Sequence, residues 1–276
     1  MKLELSVEPS RTARRRAPLV LFTGGKGGVG KSLLAANLAV QLAGEGLAVL
    51  LVDLDLGLAD LPVLLDLAPV RTIEDALAGT ARFEDCLVDG PAGVRVLPAS
   101  SGALAMGRLD RDARERLLHG VAELRGAFDV VVADGAAGIG PDVLDFAVAA
   151  DRVFVVTTPQ PAAMTDAYGL VKALDARAHE LGVELATPDV IVNQAGSVAE
   201  AEQAADRLRA ACERFLARRP RFAGWLAWSA SIAESACTGR PFALDRRSGS
   251  QTERRALASL ARRVRRLVDP CPATHP

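Results

Sequence analysis

Short apolar runs alternate along this chain with longer stretches in which apolar residues recur every three or four positions. Leu19 to Phe22, Ala48 to Val52, Phe128 to Ala133, Arg152 to Thr157, Asp189 to Val192 and Trp225 to Trp228 are of the first kind. Such runs, short and without polar alternation, predict strands buried on both faces, the habit of a parallel sheet. Leu33, Leu34, Leu38 and Leu42 predict a helix after the first strand, ended by Gly44 and Gly46. Further helices are predicted over Arg111 to Leu124, from near Thr165 onward, and from Thr252 to Val268, where Leu257, Leu260, Val264 and Leu267 share one stripe. Strands alternating with helices give an α/β fold: a three-layer, open, mostly parallel sheet with right-handed crossovers and helices on both faces. The expected division is a basic tail over residues 1–17, one domain over 18–268 and a short C-terminal tail over 269–276.

Between the first strand and the first helix lies Gly24-Gly25-Lys26-Gly27-Gly28-Val29-Gly30-Lys31-Ser32. From Gly25 the spacing is G-x-x-x-x-G-K-S, the phosphate-binding P-loop, and its flanking strand and helix are the context that motif needs. Its glycines let successive backbone N–H groups turn onto phosphate oxygens, and the helix N-terminus adds its dipole. Lys31 is placed to reach the terminal phosphates and Ser32 to ligate Mg²⁺. Lysine occurs only at positions 2, 26, 31 and 172 in a chain with 33 basic residues, so two of four lysines sit in this loop. A compact, flexible point charge on phosphate is a reason to keep lysine there.

Three acids and an amide complete the candidate set. The second strand runs into Asp53 and Asp55, which share a face at a carboxyl end, where open α/β sheets bind ligands. Two carboxylates beside a triphosphate imply a cation between them or a water to orient. The run to Asp134 is an apolar strand closing on an acid, the Walker B arrangement, whose carboxylate accepts from an Mg²⁺-bound water. Asn193 ends another strand, and an asparagine amide can pair with the N6 and N7 edge of adenine. Asp166 is expected in the first turn of its helix, as an acid favoured by the dipole or as a dimer contact.

The loop Gly-Lys-Gly-Gly-Val-Gly-Lys-Ser resembles the deviant P-loop of the MinD/ParA group of ATPases. Asp53 to Leu67, Thr72 to Leu77, the Gly90-Pro91-Ala92-Gly93 insertion before Leu97-Pro98-Ala99, and Thr157-Thr158-Pro159 with Thr165-Asp166-Ala167-Tyr168 resemble the flagellar-number regulators FlhG (FleN, YlxH) within it. The resemblance implies a slow ATPase switch using ATP and Mg²⁺. Lys26 would cross to the nucleotide of a second copy in an ATP-bound homodimer, Asp55 would position the attacking water, and Asp53 would help hold hydrated Mg²⁺. Asn193 would recognise the base. Implied partners are a flagellar GTPase, flagellar switch proteins or a flagellar transcription activator. Asp60, Gly135 and Ala227 with Trp228 depart from the family, which usually has asparagine, threonine and proline at these places, and residues 1–17 lack the motif with which many members engage the GTPase. The competing readings are a DNA- or cargo-partitioning or division-site-positioning ATPase, a ligase of the same P-loop group, and an ATP-binding scaffold with little hydrolysis.

Composition narrows this in two ways. No apolar run approaches the roughly 18 residues of a membrane span, and the N-terminus lacks the apolar stretch of a signal peptide. A cytoplasmic address is expected, with the inner face of the cell membrane or the cell pole added by the resemblance. The net charge of −1 hides an asymmetry, since residues 201–276 carry 15 Arg against 7 acids. That quarter reads as solvated helix faces or as an attraction for nucleic acid or anionic lipid. The last helix, by the same token, either closes the core or lies on a membrane. Cys86, Cys212, Cys237 and Cys271 are scattered, as are His119, His179 and His275, so neither a disulfide frame nor a metal cluster is expected.

Overall fold

The strands are β1 (Leu19–Gly24), β2 (Val49–Leu54), β3 (Val88–Asp89), β4 (Arg95–Leu97), β5 (Val130–Ala137), β6 (Arg152–Thr157), β7 (Asp189–Ala195) and β8 (Arg221–Ala227). The helices are α1 (Lys31–Gly44), α2 (Leu61–Leu64), α3 (Ile73–Leu77), α4 (Arg111–Leu124), α5 (Pro141–Ala149), α6 (Pro161–Leu181), α7 (Val198–Leu216), α8 (Ala230–Thr238) and α9 (Gln251–Val268). These come from a computed structural model that describes residues 16–100, 109–245 and 251–269. The two expected tails fall almost wholly outside those residues.

All eight strands form one sheet in the order β3-β4-β2-β5-β1-β6-β7-β8. Every pairing is parallel except that of β3 with β4. The apolar runs are the reason: β1 and β2 are buried at all six positions, as a central strand covered on both faces must be. Alternate residues feed two cores. Leu19, Leu21, Leu50 and Val131 face a cluster with Leu117 of α4, Phe146 of α5 and Leu170 of α6. Val20, Phe22, Leu51 and Val132 face Leu34 and Leu38 of α1 and Leu257 of α9.

The last helix closes this second core. Leu257, Leu260, Ala261 and Val264 are buried against it, so the apolar stripe is already used inside the protein. Lipid insertion through that stripe would require α9 to leave the sheet. No helix among the described residues is long and apolar enough to cross a membrane.

Three local expectations change. The Gly90–Gly93 insertion is the turn of a small antiparallel hairpin joining β3 to β4, so it builds the sheet's edge. The last strand begins at Arg221, four residues before its apolar run, and its register slips beside Gly224, which hides the first half from a hydrophobic pattern. Helix α6 begins at Pro161, which supplies a preset φ at the first helical position. Asp166 therefore lies in the second turn, with no acid in the first, and the dipole reading of that residue falls.

Candidate nucleotide-binding site

Parallel strands bring their carboxyl ends to one edge, and β1 lies in the middle of them. The P-loop leaves β1 there and enters α1 through Gly30, whose φ of +93° is a left-handed conformation that a side chain resists. A side chain at Gly30 would also begin 2.3 Å from Asn193 Nδ2. At Gly25 the obstacle is backbone: a Cβ would stand 2.1 Å from the Asp166 carbonyl oxygen, so the loop rests directly on α6. Gly27 and Gly28 meet nothing within 4 Å and, with Lys26, are exposed. One side of the loop is therefore packed and the other left open.

Lys31 and Ser32 are buried at the head of α1. Facing them are Asp53 and Asp134, register partners on the adjacent strands β2 and β5, each with no exposed surface. Asp53 Oδ1 accepts from the Asp55 backbone N–H at 3.1 Å and Oδ2 from that of Leu61 at 3.4 Å, so it shapes the loop after β2. Asp55 stands just past the strand end, partly exposed, and accepts from the Leu58 N–H at 3.3 Å. Both carboxylate oxygens of Asp134 are buried without a hydrogen-bond partner among the described residues. The Ser32 hydroxyl and the Lys31 ammonium ease its ionisation, yet the hydroxyl completes no hydrogen bond to it.

Burial dominates the electrostatics. It pushes the Asp134 carboxyl up to about 7, against the opposing pull of Ser32 and Lys31. It holds Asp53 well above the usual carboxylate range, with the Asp134 charge adding to it, and raises Asp55, where Lys31 pulls the other way. An unpartnered buried carboxylate is costly, and groups of this kind concentrate at functional sites. The donor set, a serine hydroxyl with carboxylates, is the hard oxygen chemistry that suits Mg²⁺. The site thus fits a hydrated divalent cation beside a phosphate-binding loop.

Asn193 is buried at the end of β7, and its Nδ2 donates to the Val29 carbonyl at 2.8 Å. One hydrogen of the amide is committed to the loop, leaving the second and Oδ1 for a base edge. All the predicted residues from Gly25 to Ser32, with Asp53, Asp55, Asp134 and Asn193, thus meet at one end of the sheet. Gln194, which sequence reading passed over, joins them: its Nε2 donates to the Gly28 carbonyl at 3.2 Å. Its signal was only its place beside Asn193. Of the departures, Gly135 has a physical correlate, since a Cβ there would lie 2.9 Å from the Phe22 carbonyl oxygen. Trp228 stands 70% exposed beyond the end of β8.

A family model described as the CobQ/CobB/MinD/ParA nucleotide binding domain matches residues 20–242. The antiactivator FleN of Pseudomonas aeruginosa is 38% identical over 217 residues, 79% of this chain and 76% of that protein. The flagellum site-determining protein YlxH of Helicobacter pylori is 40% identical over 162 residues, 55% of this chain, and the match spans 52% of its length. The solved structure of the cell division ATPase MinD from Pyrococcus furiosus superposes with a TM-score of 0.71 at 25% identity, covering 91% of this chain and 99% of that one. With its P-loop, its paired acids and a match over most of its length, the chain belongs to the CobQ/CobB/MinD/ParA nucleotide-binding domain family.

Proposed function

We propose that this protein is a MinD-like ATPase switch that controls the number or placement of flagella, closing as a homodimer on ATP and reopening on hydrolysis. The observation that carries the ATPase reading is the juxtaposition of Lys31 and Ser32 with Asp53 and with Asp134, both of whose carboxylate oxygens are buried and unpartnered among the described residues. The similarity to FleN and YlxH supports the flagellar assignment.

The backbone N–H groups from Gly25 to Ser32 bind the phosphates, and Lys31 neutralises the terminal ones. Ser32 and Asp134 would hold hydrated Mg²⁺, with Asp53 behind them accepting from its waters. When bound, the ion would supply positive charge that offsets the negative charge of the phosphate oxygens. Asp55, at the mouth of the site, orients the attacking water in line with that bond. Asn193 directs its free amide valences to adenine. Lys26 is exposed on the loop, free to reach a second copy's phosphates. Leu58 and Ile139, 73% and 58% exposed in the loops after β2 and β5, form apolar surface that a second copy would cover. The output is a changed surface for a flagellar GTPase, switch protein or transcription activator.

The test is a flagellar count by electron microscopy in a deletion strain and in one carrying Lys31→Ala. Both should change number or placement, and unchanged flagella would overturn the assignment. A second reading, a cargo-partitioning ATPase that holds nucleic acid, draws on α9: Arg255, Arg262 and Arg266 share its outward face and have no acid partner among the described residues. ATP-dependent retention on DNA that weakens with salt would favour it.

A further inference from the structure

Gln194 has a φ of +58°. Asp66, Ala92 and Ala217 are the other non-glycine residues with positive φ among those described, and they lie at helix ends or in a turn, as Ala217 does in capping α7. Gln194 lies inside a strand, where the left-handed conformation breaks the register of β7 on β8 between Val192 and Ala195. Glutamine has no local reason to adopt it, unlike asparagine or glycine. Its consequence is that two successive residues of β7 reach the same loop. Asn193 Nδ2 donates to the Val29 carbonyl at 2.8 Å and Gln194 Nε2 to the Gly28 carbonyl at 3.2 Å.

A trans peptide carries its C=O and N–H on opposite sides, so fixing one aims the other. Holding the Gly28 carbonyl outward aims the Val29 N–H inward, and holding that of Val29 does the same for the Gly30 N–H. The buried Val29 side chain anchors the far end of this stretch, but Gly27 and Gly28 have no heavy atom within 4 Å of where a side chain would begin, so at the Gly28 carbonyl the Gln194 hydrogen bond does the orienting. We infer that Gln194 is a positioning residue that, with Asn193, clamps consecutive P-loop carbonyls so that the intervening N–H groups face the phosphates of a nucleotide. Strain stored at a functional loop has this form elsewhere in proteins. The inference rests on the nucleotide-binding reading above.

Two variants remove the donor differently. Gln194→Glu keeps the shape, and Gln194→Gly suits the positive φ while removing the side chain. Displacement of a fluorescent ATP analogue should show both binding Mg-ATP about three- to tenfold more weakly, the value of one lost hydrogen bond. The loss should fall on KM more than on kcat, and ligand-free Gln194→Gly should melt no lower than the parent. Parental ATP affinity in Gln194→Gly would overturn the clamp, as would a loss of affinity in that variant accompanied by a lowered melting temperature. Lys31→Ala separates the two readings. If it too binds ATP like the parent, ATP does not sit on this loop and the reading of the site fails; if it loses ATP while Gln194→Gly does not, the clamp alone fails.

Discussion

Two groups of wholly or partly buried acids in this molecule are finished to different degrees. On the α4–α5–α6 flank, Asp145 is ion-paired with Arg114 Nε at 3.1 Å and Arg177 Nη2 at 2.7 Å, while Arg114 also reaches Asp142 at 3.2 Å. At the base of the sheet Asp189 is paired with Arg152 and Arg221 in the same manner. Among the described residues Asp53 and Asp134 have no guanidinium paired with them, and Asp134 has no hydrogen-bond partner. The first group is complete within the chain. In the second, Asp53 accepts only from backbone N–H groups and Asp134 is unpartnered at both oxygens among the described residues, which marks a candidate site rather than a scaffold.

Removing the charge that meets the phosphates should have the largest effect. Lys31→Ala is expected to lower ATP turnover by at least about a hundredfold in a phosphate-release assay, since electrostatic stabilisation dominates phosphoryl transfer. Turnover near the parent's would place the chemistry elsewhere. Asp145→Ala, which strips the finished group of its centre, should cost about 2 kcal/mol, less than a fully buried pair because Arg177 is partly exposed. That is a fall in melting temperature of about 5 °C. Asp134→Asn should move the other way, with the ligand-free protein melting about 2–4 °C higher and Mg-ATP no longer stabilising it. A lowered melting temperature in both variants would erase the contrast between the groups.

Titration sharpens the same contrast. The Asp134 carboxyl is pushed from 3.8 to about 7 in the folded protein, so the fold binds a proton that the unfolded chain has released. Stability of the ligand-free protein should therefore fall as pH rises between those values and level off above. The cation needs the ionised acid, so stabilisation by Mg-ATP should grow over that window and be greatest above pH 7. Melting curves with and without Mg-ATP across about pH 5.5–8 would show it, and a gain that is flat with pH would remove Asp134 from the cation site. The most local effect expected is that of Gly135→Thr, which restores the family's usual residue but crowds the Phe22 carbonyl at 2.9 Å. It should cost about 1–2 kcal/mol in a denaturant melt. No loss would mean that the strands part easily there.

What the chain determined alone is local. The P-loop was legible because its glycines, Lys31 and Ser32 are consecutive and their work is backbone work. Asp53, Asp55 and Asp134 were legible because each ends an apolar run, and a run buried on both faces tolerates an acid only where something offsets its charge. The layered α/β fold followed from the alternation itself. The tertiary structure decided what depends on strand order. Asp53 and Asp134, some eighty residues apart in the chain, become partners only because β5 inserts between β2 and β1. Asp145 is neutralised by arginines from two other helices, and no spacing rule announces that. The fate of α9 was also decided there: its apolar stripe with flanking arginines suits a membrane surface as well as a core, and the apolar face of α1 and β8 that it covers settles which it is. Gln194 could not be read at all, because its role comes from a left-handed turn of the backbone and a carbonyl 166 residues away.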